Sequence, residues 1–366
     1  MGLGVGIVGL PNIGKSTTFN ALTKTQNAES ANYPFCTIEP NKAVVRVPDY
    51  RLDELAKIVK PERILYSTVD FVDIAGLVKG ASNGEGLGNK FLSNIREVEV
   101  ILHLIRCFKD NNIAHVEGDI DPLRDIEIIE SELIFADIQQ LDKKIAKLYR
   151  TSKTDKKIKI AYEFALELKT HLDNIEPVST FSQKDNPIFE DLDKELRFLS
   201  NKEIIYGANV DENSLIEKSE FVQKVEIHAK KVGAKVIVLC AKIEEELCEL
   251  DEKEEQELLA DLGIKESGLN QIIQTAFAKL NLISYFTAGV LEVRAWTIKK
   301  GWKAPKSASV IHNDFEKGFI RAEVIAYNDF ISHAGENGAK DAGKMRLEGK
   351  DYIVKDGDVM HFRFNV

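Results

Sequence analysis

The residues Gly9-Leu10-Pro11-Asn12-Ile13-Gly14-Lys15-Ser16 match Gly-x-x-x-x-Gly-Lys-Ser/Thr, a spacing that can cradle a phosphate chain. Glycines at both ends let the backbone curl until successive N–H groups face one concavity. Lys15 adds a point charge for β- and γ-phosphates, and Ser16 a hydroxyl for Mg2+. A nucleoside triphosphate is the expected guest. Thr37, in Asn32-Tyr33-Pro34-Phe35-Cys36-Thr37, is the hydroxyl that would complete the Mg2+ shell from a nucleotide-sensing loop. Asp73-Ile74-Ala75-Gly76 ends an apolar run: the aspartate would hold Mg2+ through water while the Gly76 N–H meets the γ-phosphate.

Leu77 follows Gly76, where many hydrolases of this kind carry a water-orienting glutamine, and a leucine cannot do that work. His115, in the polar loop 110–121, is one candidate for positioning or deprotonating water. A potassium ion, held in part by the Asn12 carbonyl, is another, supplying charge where an arginine otherwise would. Further along, Asn209-Val210-Asp211-Glu212 stands where a guanine reader has Asn-Lys-x-Asp. Glu212 reaches one methylene too far to grip the guanine edge, and Val210 replaces the lysine stem that covers the base. Adenine becomes the better guest, with Asn209 and the backbone of Val210 as its expected contacts.

Placing these groups requires an α/β frame. Apolar runs predict strands over 5–8, 42–47, 68–74, 100–105, 203–208 and 236–239, with helix starting at Thr17, a loop over 24–41 and a short helix over 52–58. Ile134, Ile138, Leu141, Ile145 and Leu148, then Ile160, Phe164, Leu168, Leu172 and Ile175, repeat at helical spacing about a polar turn at 151–156. This predicts an antiparallel helical hairpin, which serves either as a structural insertion or as an arm for a partner. Residues 247–280 read as helix. Beyond 283, strands over 291–298 and 318–326 and a hairpin turning at Asp356-Gly357 predict a small β module. The expected domains are 1–121 with 202–282 for the nucleotide, 122–201 for the helical insertion and 283–366 for the β module.

The 366 residues carry a net charge of −10, which argues against coating nucleic acid by bulk charge. Arg294, Lys299, Lys300, Lys303 and Lys306 nonetheless cluster around Trp296 and Trp302, as either an RNA contact or a solvated sheet edge. No apolar run spans a membrane and no basic leader precedes one, so a cytoplasmic protein is expected, without membrane or sequence-specific DNA partners. The cysteines Cys36, Cys107, Cys240 and Cys248 show no metal spacing and read as reduced thiols.

Taken together, the phosphate loop, Thr37, Asp73 to Gly76 and the Glu212 variant resemble the Obg-like ATPases of the YchF subfamily, over essentially the whole chain. Phe319 to Val324 and Asp356 to Val359 resemble that family's C-terminal TGS module. The resemblance implies a P-loop NTPase domain interrupted by a coiled-coil arm and followed by a β-grasp domain. It also implies Mg2+-dependent hydrolysis of ATP in preference to GTP, and association with a ribosome, through either or both subunits, or another RNA-containing particle. At matching positions it implies that Asn12, Ile13, Gly14, Lys15, Ser16 and Thr17 bind phosphate, that Ser16 and Thr37 bind Mg2+, and that Val210 borders the base.

Overall fold

The computed structural model describes residues 4–29, 41–74, 87–110, 113, 115–116 and 118–365. Its strands are β1 (Gly4–Val8), β2 (Lys42–Arg46), β3 (Arg63–Leu65), β4 (Thr68–Asp73), β5 (Val100–Arg106), β6 (Glu203–Asn209), β7 (Lys235–Leu239), β8 (Leu282–Ala288), β9 (Glu292–Lys299), β10 (Phe319–Ala326), β11 (Arg346–Glu348) and β12 (Asp358–Phe364). The helices used below are α1 (Lys15–Glu29), α2 (Tyr50–Val59), α3 (Leu87–Glu97), α4 (Pro122–Ser152), α5 (Lys156–Asp173), α6 (Pro187–Leu196), α7 (Asn213–Ile216), α8 (Glu220–Val232), α9 (Ala241–Leu247), α10 (Glu252–Asp261) and α11 (Gly268–Lys279).

One sheet has the order β2-β4-β1-β5-β6-β7. The pairings β1 with β4, β1 with β5, β5 with β6 and β6 with β7 are parallel. β1 and β5 are buried at every position, which is why they read as unbroken apolar runs rather than alternating ones. The register sets Ile7 opposite Asp73 and Val8 opposite His103. The phosphate loop therefore leaves the carboxyl end of β1 beside the carboxyl end of β4, the edge at which open parallel sheets bind ligands.

Between β5 and β6 the chain makes the helical hairpin. Asp121 caps α4 ahead of Pro122, and Asp155 caps α5 by accepting from the Lys157 and Ile158 amides. Leu141, Phe164, Leu168 and Leu172 form its core with Phe181, Phe189 and Phe198 of the following segment. Ile160 and Ile175, at the ends of the predicted apolar stripe, are exposed instead. Buried Asp137 of α4 fixes the return to the sheet, accepting from Leu199 N at 2.9 Å and from Ser200 N at 2.8 Å. Three other sequence readings change: α1 runs to Glu29 through the start of the predicted 24–41 loop, β3 and β8 are additional strands, and 247–280 breaks into α10 and α11.

The second sheet has the order β11-β10-β12-β8-β9-β3. By contact density the chain divides into two compact units, with Val44–Val69 joined to Ile273–Val366 in the second and most of the remainder in the first. The segment 44–69, expected with the nucleotide domain, thus folds with the β module. Leu52 and Leu55 of α2 are buried among Phe286, Val293 and Phe330, and β3 pairs in parallel with β9. The Asp356-Gly357 hairpin does not form. Asp356 instead accepts from Ser284 N at 2.9 Å and from Arg51 at 2.7 Å, and β12 pairs with β10 and β8. Trp296 and Trp302 pack on this unit's core, with Arg294 at 3.9 Å and Lys306 at 5.4 Å over their rings.

In the first unit, buried Glu244 of α9 accepts from Gly268 N at 2.6 Å and so caps α11. Burial raises its pKa from 4.5 to about 7, against the opposing hydrogen bonds from Leu269, Gly268 and Ser267. A raised folded-state value means that the fold retains a proton which the unfolded chain releases. This contribution to stability is complete below pH 4.5 and is lost as pH rises through 7. Glu244→Gln is expected to flatten that part of the stability profile, by on the order of 1–3 kcal/mol, in urea titrations stepped across the window.

Candidate functional site

The phosphate loop takes backbone shapes that only some residues tolerate. Asn12 has φ 62° and Gly14 φ 94°. A Cβ on Gly14 would also lie 2.2 Å from Asn209 Nδ2, so the position excludes side chains on two counts. Ile13 is buried beneath the loop, Ser16 is exposed and Thr17 half-buried at the start of α1. Thr18 closes that first turn, its amide and hydroxyl donating to Gly14 O at 2.9 and 3.0 Å.

Lys15 Nζ donates to Asp73 Oδ1, joining the expected phosphate-binding cation to the expected Mg2+ carboxylate. The exposed Ser16 hydroxyl and the partly exposed Asp73 carboxylate are hard oxygen donors, the chemistry Mg2+ selects when substrate phosphates and water complete its shell. Among the described residues no cluster of His, Cys, Asp or Glu offers a softer metal site. Thr37, Gly76 and Leu77, like Cys36, lie outside the described residues. Cys107, Cys240 and Cys248 are free thiols.

At the carboxyl end of β6 the structure gives Asn209 contacts that its sequence context does not indicate. Its Nδ2 donates to Ile13 O at 2.7 Å and its Oδ1 accepts from Ala241 N at 3.0 Å. The side chain is buried, and it clamps the phosphate loop to the start of α9. The Ala241 amide, at the start of α9, is engaged by the same clamp. Val210 N donates to Leu239 O at 2.8 Å, which leaves its carbonyl as the backbone group to face a base. Asp211 Oδ1 accepts from Ser214 N at 2.9 Å and so closes the turn into α7, while Glu212 is exposed with no capping bond.

His115 is withdrawn from solvent. Its side chain is 2% exposed and its Nε2 lies 2.9 Å from Asp125 Oδ2 in the first turn of α4. Arg106, which belongs to none of the sequence motifs, holds the base of the same loop. The buried guanidinium donates to the carbonyls of Phe108, Asp110 and Ile113. An arginine ending an otherwise apolar strand was the available signal, since a buried guanidinium requires several acceptors.

A glycine-rich loop between a buried parallel strand and a helix, with a lysine at its end and an aspartate on the neighbouring strand, defines a P-loop nucleoside triphosphatase. The 50S ribosome-binding GTPase family model matches residues 4–162, and the YchF-GTPase_C model, described as a protein of unknown function (DUF933), matches 282–365. The chain is 57% identical over 370 residues to the ribosome-binding ATPase YchF of Haemophilus influenzae and 52% over 369 to that of Bacillus subtilis, covering 100% of both chains in each case. The solved Schizosaccharomyces pombe YchF GTPase superposes with a TM-score of 0.90 at 38% identity, over 99% of this chain and 97% of that one. The chain belongs to the YchF family.

If Asn209 is a clamp, Asn209→Ala leaves the buried Ile13 carbonyl and Ala241 amide without partners. A stability loss of about 2–4 kcal/mol is expected. ATP and GTP affinity should fall together, because the phosphate loop itself is released. Urea denaturation and nucleotide titration check both, and selective loss of ATP alone would return Asn209 to the role of base reader.

Proposed function

We propose that this protein binds ATP in preference to GTP, hydrolyses it, and associates with the ribosome under control of the bound nucleotide. The observation that carries the purine assignment is the base loop. Asp211 is spent on a turn, Glu212 is exposed and a methylene too long, and Val210 supplies no covering stem. Relatives matched along their full length carry the name ribosome-binding ATPase, which supports both the reaction and the partner.

Hydrolysis requires water in line with the γ-phosphate and positive charge where the transition state gathers negative charge. Lys15 would leave Asp73 for the β- and γ-phosphates, while the Gly76 N–H would orient the γ-phosphate. Mg2+ would be held by Ser16, Asp73 and Thr37, supplying charge neutralisation. A potassium ion on the Asn12 carbonyl would add to it. His115 would exchange Asp125 for the attacking water and, in the neutral tautomer with its hydrogen on Nδ1, take the water proton at Nε2. The loop that Arg106 anchors at its base keeps the ring within this part of the fold.

Two measurements test this reading. Competition binding is expected to favour ATP, and Glu212→Asp, at an exposed position, should move the balance towards GTP by about 10-fold, at the low end of the 1–3 kcal/mol that a bidentate base contact contributes. A wild-type preference for GTP would remove the purine assignment. In single-turnover assays His115→Ala is expected to lower the hydrolysis rate by about 10²–10⁴-fold with ATP affinity kept within a few-fold. An unchanged rate would assign water positioning to another group.

A further inference from the structure

Residues 143–159 hold eight lysines and arginines against a single acid, Asp155, in a chain of net charge −10. The hairpin gathers this run at its tip, the last turns of α4, the connecting turn and the first turn of α5. Lys143, Lys147 and Arg150 follow one another at spacings of four and three along one face of α4, and Lys153, Lys156 and Lys157 continue the stripe around the turn. All six are exposed. Lys144 pairs with Glu195 and Lys159 with Glu163, but among the described residues no carboxylate lies within ion-pair distance of those six.

This arrangement works against the hairpin's own stability. Like charges four apart on a helix repel. Lysines in the first turn of α5, which contains no acid, face the positive end of the helix dipole. Asp155 compensates little, since its carboxylate is already committed to the Lys157 and Ile158 amides. A solvated surface would disperse or pair such charges, whereas a surface that meets an external polyanion gains by concentrating them. Tyr149 lies among them, 49% exposed, with Lys153 Nζ 4.8 Å from its ring centre. Cations around an exposed aromatic ring match rows of phosphate with ribose hydroxyls between them, which helical RNA presents and an acidic protein does not.

We propose that the tip of the α4–α5 hairpin docks on the phosphate backbone of helical RNA. The ribosomal source of that RNA rests on the function proposed above. The 31 residues of α4 place the tip about 45 Å from the Asp125 end of the helix, so docking leaves the nucleotide loops uncovered.

The test compares full-length protein with the triple variant Lys147→Glu, Arg150→Glu and Lys153→Glu, using a short RNA duplex followed by anisotropy and purified ribosomes followed by sedimentation. Affinity for the duplex is expected to fall at least 10-fold, and the slope of log affinity against log salt to shrink by about 2–3 as three phosphate contacts are lost. Thermal melting should not fall, since repulsion within the cluster is relieved, and ATP hydrolysis without ribosomes should not change. Lys147→Arg with Lys153→Arg should bind as wild type. Duplex affinity within two-fold of wild type in the charge-reversed protein, no duplex binding by wild type, or a loss confined to anionic vesicles or acidic proteins would overturn the proposal. Wild-type protein that binds duplex through the tip but fails to sediment with ribosomes would uphold the tip and remove the ribosomal reading.

Discussion

One buried amide holds the nucleotide site together. Asn209 ties the carbonyl of Ile13, inside the phosphate loop, to the amide that starts α9. The groups expected to meet the phosphates and those expected to meet the base sit on different strand ends, and this side chain gives them a common anchor. Gly14 is required as much by this contact as by its dihedral angle, because a side chain there would strike the anchor. A half-broken clamp would leave two buried polar groups unsatisfied, so the loop and the base side are expected to be lost or kept together.

Much of this site was legible in the sequence because it is encoded locally. The phosphate loop, the Asp73 strand and the helical hairpin are patterns within one or two elements, and the structure places the strands and hairpin within a few residues of the expected bounds. What could not be read depends on partners distant in the chain. Asn209 looked like a base reader because nothing in its neighbourhood names Ile13, 196 residues earlier. The polar sequence around His115 does not name its partner, and only the hairpin's first turn brings Asp125 against it. Asp356-Gly357 does turn, with Asp358 N donating to Lys355 O at 3.2 Å, but β12 then pairs with β10 and β8 rather than with the residues before the turn, and Asp356 accepts from Arg51 and Ser284. The basic run at 143–159 was visible as residues, but its meaning depends on the hairpin bringing both helix ends to one place.

The least legible feature is the assignment of 44–69. Its helix and flanking strands have ordinary local patterns, equally suited to either sheet. Burial decides between them. Leu52 and Leu55 reach zero exposure only against Phe286, Val293 and Phe330, and a pair of Leu side chains removed from water contributes about 3–6 kcal/mol before conformational costs. β3 then completes the edge next to β9, and the ion pair of Arg63 with Glu292 lies across that seam.

This assignment changes what the C-terminal module is. Its sheet and core include a helix and a strand drawn from between the two nucleotide-sensing motifs, Thr37 on one side in sequence and Asp73 on the other. The chain enters that segment along β2 and leaves it along β4, the strand that ends on the aspartate paired with Lys15. The C-terminal family match begins at residue 282 and so omits α2 and β3, whose absence would leave Phe286 and Val293 facing water. A module defined by that match alone is short of part of its own core. The segment that completes this core is continuous in sequence with β2 on one side and with β4, the strand ending on Asp73, on the other.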